Sequence, residues 1–155
     1  MKIILFRFEK EQINILRCDI NSGNLNTGKK EKISLQSTNS RGEKYLKILN
    51  ELSQIQTSCS TDFFAYQSPQ KYRGAIKDEE GFANTAILHL FCEQKKIKLL
   101  ELTPPTVRKK LSIPDKEFKT LLEKEKKNIY NKYSMAKSDK LLDGLTFLSL
   151  LRHTF

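Results

Sequence analysis

The chain has no tryptophan, so nine phenylalanines and five tyrosines must supply its aromatic packing. Cysteine is scarce too: Cys18, Cys59 and Cys92 are odd in number and far apart. With no CxxC pair, the pattern argues against a zinc knuckle or a thioredoxin-like redox site. Cys18 and Cys92 fall within apolar patterns and are expected as buried thiols, which fits a reducing cytoplasm. Neither a P-loop nor a GxGxxG turn occurs, and no Ser/His/Asp or Cys/His arrangement has a supporting motif. His89 lies in an apolar helical stretch, where a packed residue is commoner than a ligand, and His153 has no visible partner. Long hydrophobic runs are also lacking. The opening MKIILFRFEK returns to charge after a few residues, too soon for a signal peptide or membrane anchor, and reads as a first strand.

The composition that remains is that of a soluble globular domain. The chain of 155 residues is long enough for a core of its own, with 38% apolar and 30% charged residues, so a single domain over residues 1–155 is expected. The formal net charge of +10 has two readings. A basic surface attracts and steers polyanions, nucleic acid above all. The alternative is a lysine-rich background in which Lys is the default surface residue.

The element order follows from periodicity. Lys2–Glu9 is rich in β-branched and aromatic residues and predicts a strand. Gln12–Ile20 alternates apolar and polar residues, with a slip between Ile15 and Leu16. Lys10-Glu11 makes the turn between these two strands. A second turn region runs from Asn21 to about Gly28, and Lys30–Gln36 is a third strand, completing an antiparallel meander. Tyr45, Leu46, Leu49, Leu52 and Ile55 recur at helical spacing within Gly42–Gln56, after a polar loop with good capping residues.

Phe63–Tyr66, a helix over about Glu80–Gln94 and Ile97–Leu102 then form a βαβ unit with parallel strands. Helices over Asp115–Tyr133 and Ser138–His153 close the chain. Gly144, inside the apolar last helix, costs about 1 kcal/mol relative to Ala and predicts a close backbone contact. The expected fold is therefore α/β: a mixed five-stranded sheet, three antiparallel strands then parallel strands, flanked by helices.

Sites in open α/β sheets lie beyond the carboxyl ends of the strands. The loop Gln67–Gly74 occupies such a place, where Lys71 and Arg73 can grip phosphates and Tyr72 can stack on a base. Arg108, Lys109 and Lys110, after a proline, are further phosphate candidates. Each also reads as an ordinary solvated charge.

The helix EEGFANTAILHLFCEQ, the stretch KLLELTPPTVRK from Lys98 to Lys109 and the ending Asp139–Leu151 together resemble the RuvC-like branch of the ribonuclease H-like superfamily, which contains the Holliday-junction resolvases. The resemblance implies the ribonuclease H-like fold and Mg2+- or Mn2+-dependent cleavage of branched DNA by a homodimer, since a four-way junction has two symmetric cuts. It also implies about four carboxylates around two metals roughly 4 Å apart. They are expected on the first strand, at the end of the fourth strand, and as a pair on the last helix. On these positions the chain offers Glu9, then Gln67 as a neutral oxygen ligand, then Asp139 and Asp143, spaced to share one helix face. The fourth strand carries no acid. The resemblance therefore leaves two further readings: a catalytically degenerate DNA-binding relative, and a protein-interaction subunit.

Overall fold

A computed structural model of the chain describes residues 1–155 apart from 69, 70, 73, 74, 77 and 137, and only the backbone of 71, 72, 75 and 76. Among the described residues, seven strands run over Lys2–Phe8 (β1), Gln12–Asn21 (β2), Asn24–Ser34 (β3), Phe63–Gln67 (β4), Lys71–Tyr72 (β5), Ala75–Ile76 (β6) and Leu99–Leu102 (β7). Five helices of the described residues run over Arg41–Ser58 (α1), Glu79–Lys95 (α2), Pro104–Leu111 (α3), Asp115–Tyr133 (α4) and Leu142–Leu151 (α5). The main sheet has the order β3-β2-β1-β4-β7. β1, β2 and β3 pair antiparallel, while β4 pairs parallel to β1 and β7 parallel to β4. This is the mixed five-stranded sheet expected from the sequence. β5 and β6, between β4 and α2 in the chain, pair antiparallel as a separate two-stranded sheet.

Helices cover both faces of the sheet, which explains the strand patterns. On one face Ile4, Phe6, Phe8, Ile13, Ile15, Phe64 and Tyr66 pack against α1 and α2. On the other, Ile3, Leu5, Leu16, Cys18 and Ala65 pack beneath α3, α4 and α5. The apparent slip at Ile15–Leu16 is thus no irregularity. Both residues are buried, one on each face, and the register irregularity of β2 lies between Leu16 and Cys18. Cys18 and Cys92 are buried as expected, and burial pushes both thiols up to about 12.

Local chemistry sets the element ends. Ser40 caps α1 by accepting the Glu43 N–H at 3.1 Å, and Asp78 caps α2 by accepting the Gly81 N–H at 2.7 Å. Thr103 caps α3, whose first turn holds the prolines. The largest departures from expectation are two element starts. β3 begins at Asn24 rather than Lys30, because Ser22 (φ 49°) and Gly23 (φ 75°) turn the chain in two residues. α5 begins at Leu142 rather than Ser138, because the Asp139 side chain accepts the Leu141 N–H at 2.9 Å and holds a turn before the helix. Among the described residues no helix is long and apolar enough to cross a membrane.

Candidate functional site

Strand parity decides what faces α5 at the carboxyl ends of β1 and β4. Ile3 and Leu5 face α5, so Arg7 does as well; Phe63 and Ala65 do, so Gln67 does. Asn14 pairs with Arg7 across β1 and β2 and shares that face. Gln67 and Asn14 are buried, and Arg7 is half-buried. Gly144 allows α5 to come down on this point: a β-carbon there would lie 3.1 Å from Leu5 Cδ1 and 3.6 Å from Gln67 Cβ. The close backbone contact expected at Gly144 is therefore present, and it brings Asp143 to the same place.

Arg7 is the unforeseen occupant. Its Nη1 donates to the Ser68 carbonyl at 2.9 Å and reaches the Gln67 carbonyl at 3.4 Å. Its Nε–H and the Gln67 Oε1 are both buried and have no partner among the described residues. Burial lowers the Arg7 pKa, and the negative charges of Glu9, Asp78 and Asp143 oppose that shift. A guanidinium stays charged in proteins even so.

The carboxylates around it are engaged with cations. Glu9 stands just beyond β1, in the turn to β2. It accepts from Gln12 Nε2 and from Asn14 Nδ2 at 3.2 Å, and pairs with Lys140 at 3.4 Å. Burial would raise the Glu9 pKa, but the Gln12 hydrogen bond and Lys140 outweigh it and hold the carboxyl below its ordinary value. The turn itself is clamped to α2 by the buried Asn84, whose Nδ2 donates to the Glu9 carbonyl at 2.8 Å. Asp143 pairs with Lys126 of α4 at 2.6 Å. Asp139 pairs with Lys30 of β3. Asp139 and Asp143 do not share a helix face as expected, because Asp139 precedes α5.

These residues do not fit a two-metal centre. Among the described residues no group of three or more His, Cys, Asp or Glu side chains could hold a metal ion. Glu9, expected as the first-strand ligand, lies beyond the end of β1, the residue of β1 that faces α5 there is the guanidinium of Arg7, and Glu9, Asp139 and Asp143 each answer to a separate lysine. A cation packed against Arg7 would meet like charge rather than ligands.

The expected phosphate-binding residues are dispersed. Arg108 on α3 pairs with Asp115 at 2.8 Å, and Lys109 beside it is exposed. Lys71 and Tyr72 form β5, with only their backbone described, and Arg73 lies outside the described residues. His89, expected to be packed, is exposed; its Nε2 lies 2.8 Å from the Tyr66 hydroxyl. Sequence reasoning missed Arg7, Asn14 and the lysines Lys30, Lys126 and Lys140. Arg7 did carry a signal, being the one charged residue of β1 in phase with Ile3 and Leu5.

No protein-family model matches the chain, and no curated protein matches it. Solved structures do. The RuvC of T. thermophilus in complex with a Holliday junction substrate superposes with a TM-score of 0.67 at 10% identity, over 99% of this chain and 93% of that one. The Fowlpox virus resolvase, in a complex with its substrate Holliday junction DNA, matches with a TM-score of 0.53 at 11% identity, over 100% of this chain and 99% of that one. The fold is RuvC-like along nearly the whole chain.

Proposed function

We propose that this chain binds branched DNA as a RuvC-like homodimer and does not carry out Mg2+- or Mn2+-dependent hydrolysis. The single observation behind the second half is Arg7, a fixed cation on the α5 side of β1 at its carboxyl end, among the residues that would have to hold the metal. A divalent cation about 4 Å from a guanidinium is opposed by roughly 8 kcal/mol at an effective dielectric of 20. The lysine partners of Glu9 and Asp143 add to that opposition.

DNA binding is supported by the net charge of +10 and by the Holliday-junction complexes of two neighbours with this fold. Lys109, Arg108, Lys71, Tyr72 and Arg73 are the nucleic-acid contacts in this reading. The homodimer is supported by an exposed apolar stripe on α2, where Phe82, Ala86 and Leu90 recur every four residues. The free cysteines suit a reducing, cytoplasmic setting.

The test is a four-way-junction assay with Mg2+ or Mn2+, scored for binding and for cleavage, beside Asp143→Asn. Binding that weakens with salt and yields no cut product is the expected result. Cleavage that disappears in Asp143→Asn would make the chain a metal nuclease with a rearranged site. Absence of binding from low to moderate salt would leave a protein-interaction subunit and make the charge incidental.

A further inference from the structure

We propose that the open edge of β7 takes an extended segment of a partner protein as an added strand of the main sheet, and that this segment is apolar at its centre and acidic at its ends. The groove beside that edge lies at the amino ends of the parallel strands, opposite the candidate site. The inference does not depend on DNA binding.

The two edges of the sheet differ. β3 closes one side and carries Lys29, Lys30 and Lys32, charges of the kind that keep an exposed edge from pairing. β7 closes the other side and reads Leu-Leu-Glu-Leu, with neither lysine nor proline inside it. Only half of its backbone is spent. The Phe64 N–H donates to the Lys98 carbonyl at 2.9 Å, so Leu100 and Leu102 turn their backbone groups toward β4. Backbone direction alternates along a strand, so Leu99 and Glu101 turn theirs outward. No strand of the described residues pairs with that side. Leu99 and Leu100 are half-buried and Glu101 is exposed, so another chain can reach this edge.

The surroundings specify the chemistry of the segment. A groove of about 660 Å³ opens at the amino end of β7, with Met1, Phe63, Leu99, Leu100 and Phe155 as apolar walls. Main-chain bonds to the edge supply affinity in strand addition, and such a groove selects apolar side chains. Lys98 and Lys110 line the same groove and are exposed. Their neighbours Lys96 and Arg108 pair with Glu93 and Asp115, whereas Lys98 and Lys110 have no ion pair among the described residues. Asp62, the acid that lines the groove, already accepts the Lys2 N–H at 2.6 Å. Acids flanking the apolar core of the segment therefore complement this edge. A second copy of this chain, itself at +10, matches the two lysines less well.

The probe is a short synthetic peptide with a valine–isoleucine core between terminal glutamates. Its counterpart carries lysines at the ends. The full chain, 15N-labelled, is titrated with each peptide to millimolar concentration. The acidic peptide should shift the Leu99 and Glu101 amides and, at ten times its dissociation constant, slow their hydrogen exchange about tenfold. The lysine peptide should bind about tenfold more weakly or worse. Glu101→Pro removes an outward donor and leaves the bonds to β4 in place, since an edge strand tolerates proline on its open side. It should weaken binding about tenfold or more. The double variant K98E/K110E should reverse the preference between the two peptides. The amide shifts of the wild type need no variant to fold. Leu99 and Glu101 amides that stay still in millimolar acidic peptide, equal binding of the two peptides, or an unchanged preference in K98E/K110E would overturn the proposal. A wild-type dimer that Glu101→Pro turns to monomer in sedimentation velocity would also overturn it, by giving the edge to a second copy.

Discussion

Gly144 of α5 lies directly over Leu5 of β1, so closely that an added β-carbon would sit 3.1 and 3.2 Å from the two Leu5 methyls. Leu5 is fully buried and has little room to give. Gly144→Val is expected to lower stability by about 1–3 kcal/mol through overpacking. Chemical denaturation checks this, and a Leu5→Val background should recover part of the loss, since neighbours in contact couple. If Gly144→Val were neutral in both backgrounds, the close approach that brings Asp143 to Arg7 would be wrong.

A second contact locks α4 to α5 and carries a pH signature. Glu125 accepts from the Ser149 hydroxyl, from Arg152 Nη1 at 2.8 Å and from Asn128 at 3.1 Å. Burial would raise its pKa, but the hydrogen bonds from Ser149 and Asn128 and the Arg152 charge hold the carboxyl below its ordinary value. A carboxyl with a lowered folded pKa contributes stability that is present above its unfolded pKa, about 4.3, and is lost as pH falls through the folded value. Glu125→Gln should therefore cost about 1–3 kcal/mol near pH 7. It should also show a shallower loss of stability below pH 4 than the wild type. Urea midpoints at several pH values separate these outcomes; parallel pH profiles would remove Glu125 from the acid response.

The homodimer reading makes the α2 stripe a buried surface. Leu90 is 60% exposed in the single chain and Phe82 45% exposed. Leu90→Glu should shift a dimer to monomer without unfolding α2, because the position faces away from the sheet. Sedimentation velocity with circular dichroism reads both properties. A wild type that sediments as a monomer at all concentrations would end this reading.

β1, β2 and β4 were legible because β-branched and aromatic residues fill them, and α4 because its apolar residues keep helical spacing from Phe118 to Tyr130. The site was less legible for physical reasons. The pairing of Glu9, Asp139 and Asp143 with lysines depends on chain reversals, and Lys30 reaches Asp139 across 109 residues of sequence. The Asp139–Asp143 spacing suggested one helix face only if a helix began at Ser138. A single side-chain hydrogen bond to the Leu141 N–H delays that start and turns Asp139 toward β3. Arg7 was visible as a residue, but its role needed the parallel register that sets it next to Gln67.

Arg7 also decides the response to divalent metal. A ligand that binds only the folded state raises its stability by RT ln(1 + [L]/Kd). With Arg7 near Asp143, Lys126 paired to Asp143 and Lys140 paired to Glu9, millimolar Mg2+ or Mn2+ should leave the melting temperature within about 1 °C of an EDTA-treated sample. The double substitution R7D/Q67E removes the cation and places two acids on adjacent parallel strands facing Asp143. Hard oxygen ligands then converge as Mn2+ requires. Metal at ten times its dissociation constant contributes about 1.4 kcal/mol, or roughly 3–6 °C for a chain of this size. Differential scanning fluorimetry with and without Mn2+ reads the shift, and electron paramagnetic resonance counts bound metal. Strong Mn2+ stabilisation of the wild type would place the metal ligands elsewhere and return the nuclease reading. No Mn2+ binding in the folded double variant would mean that Arg7 and Gln67 do not face Asp143 closely enough to share a ligand.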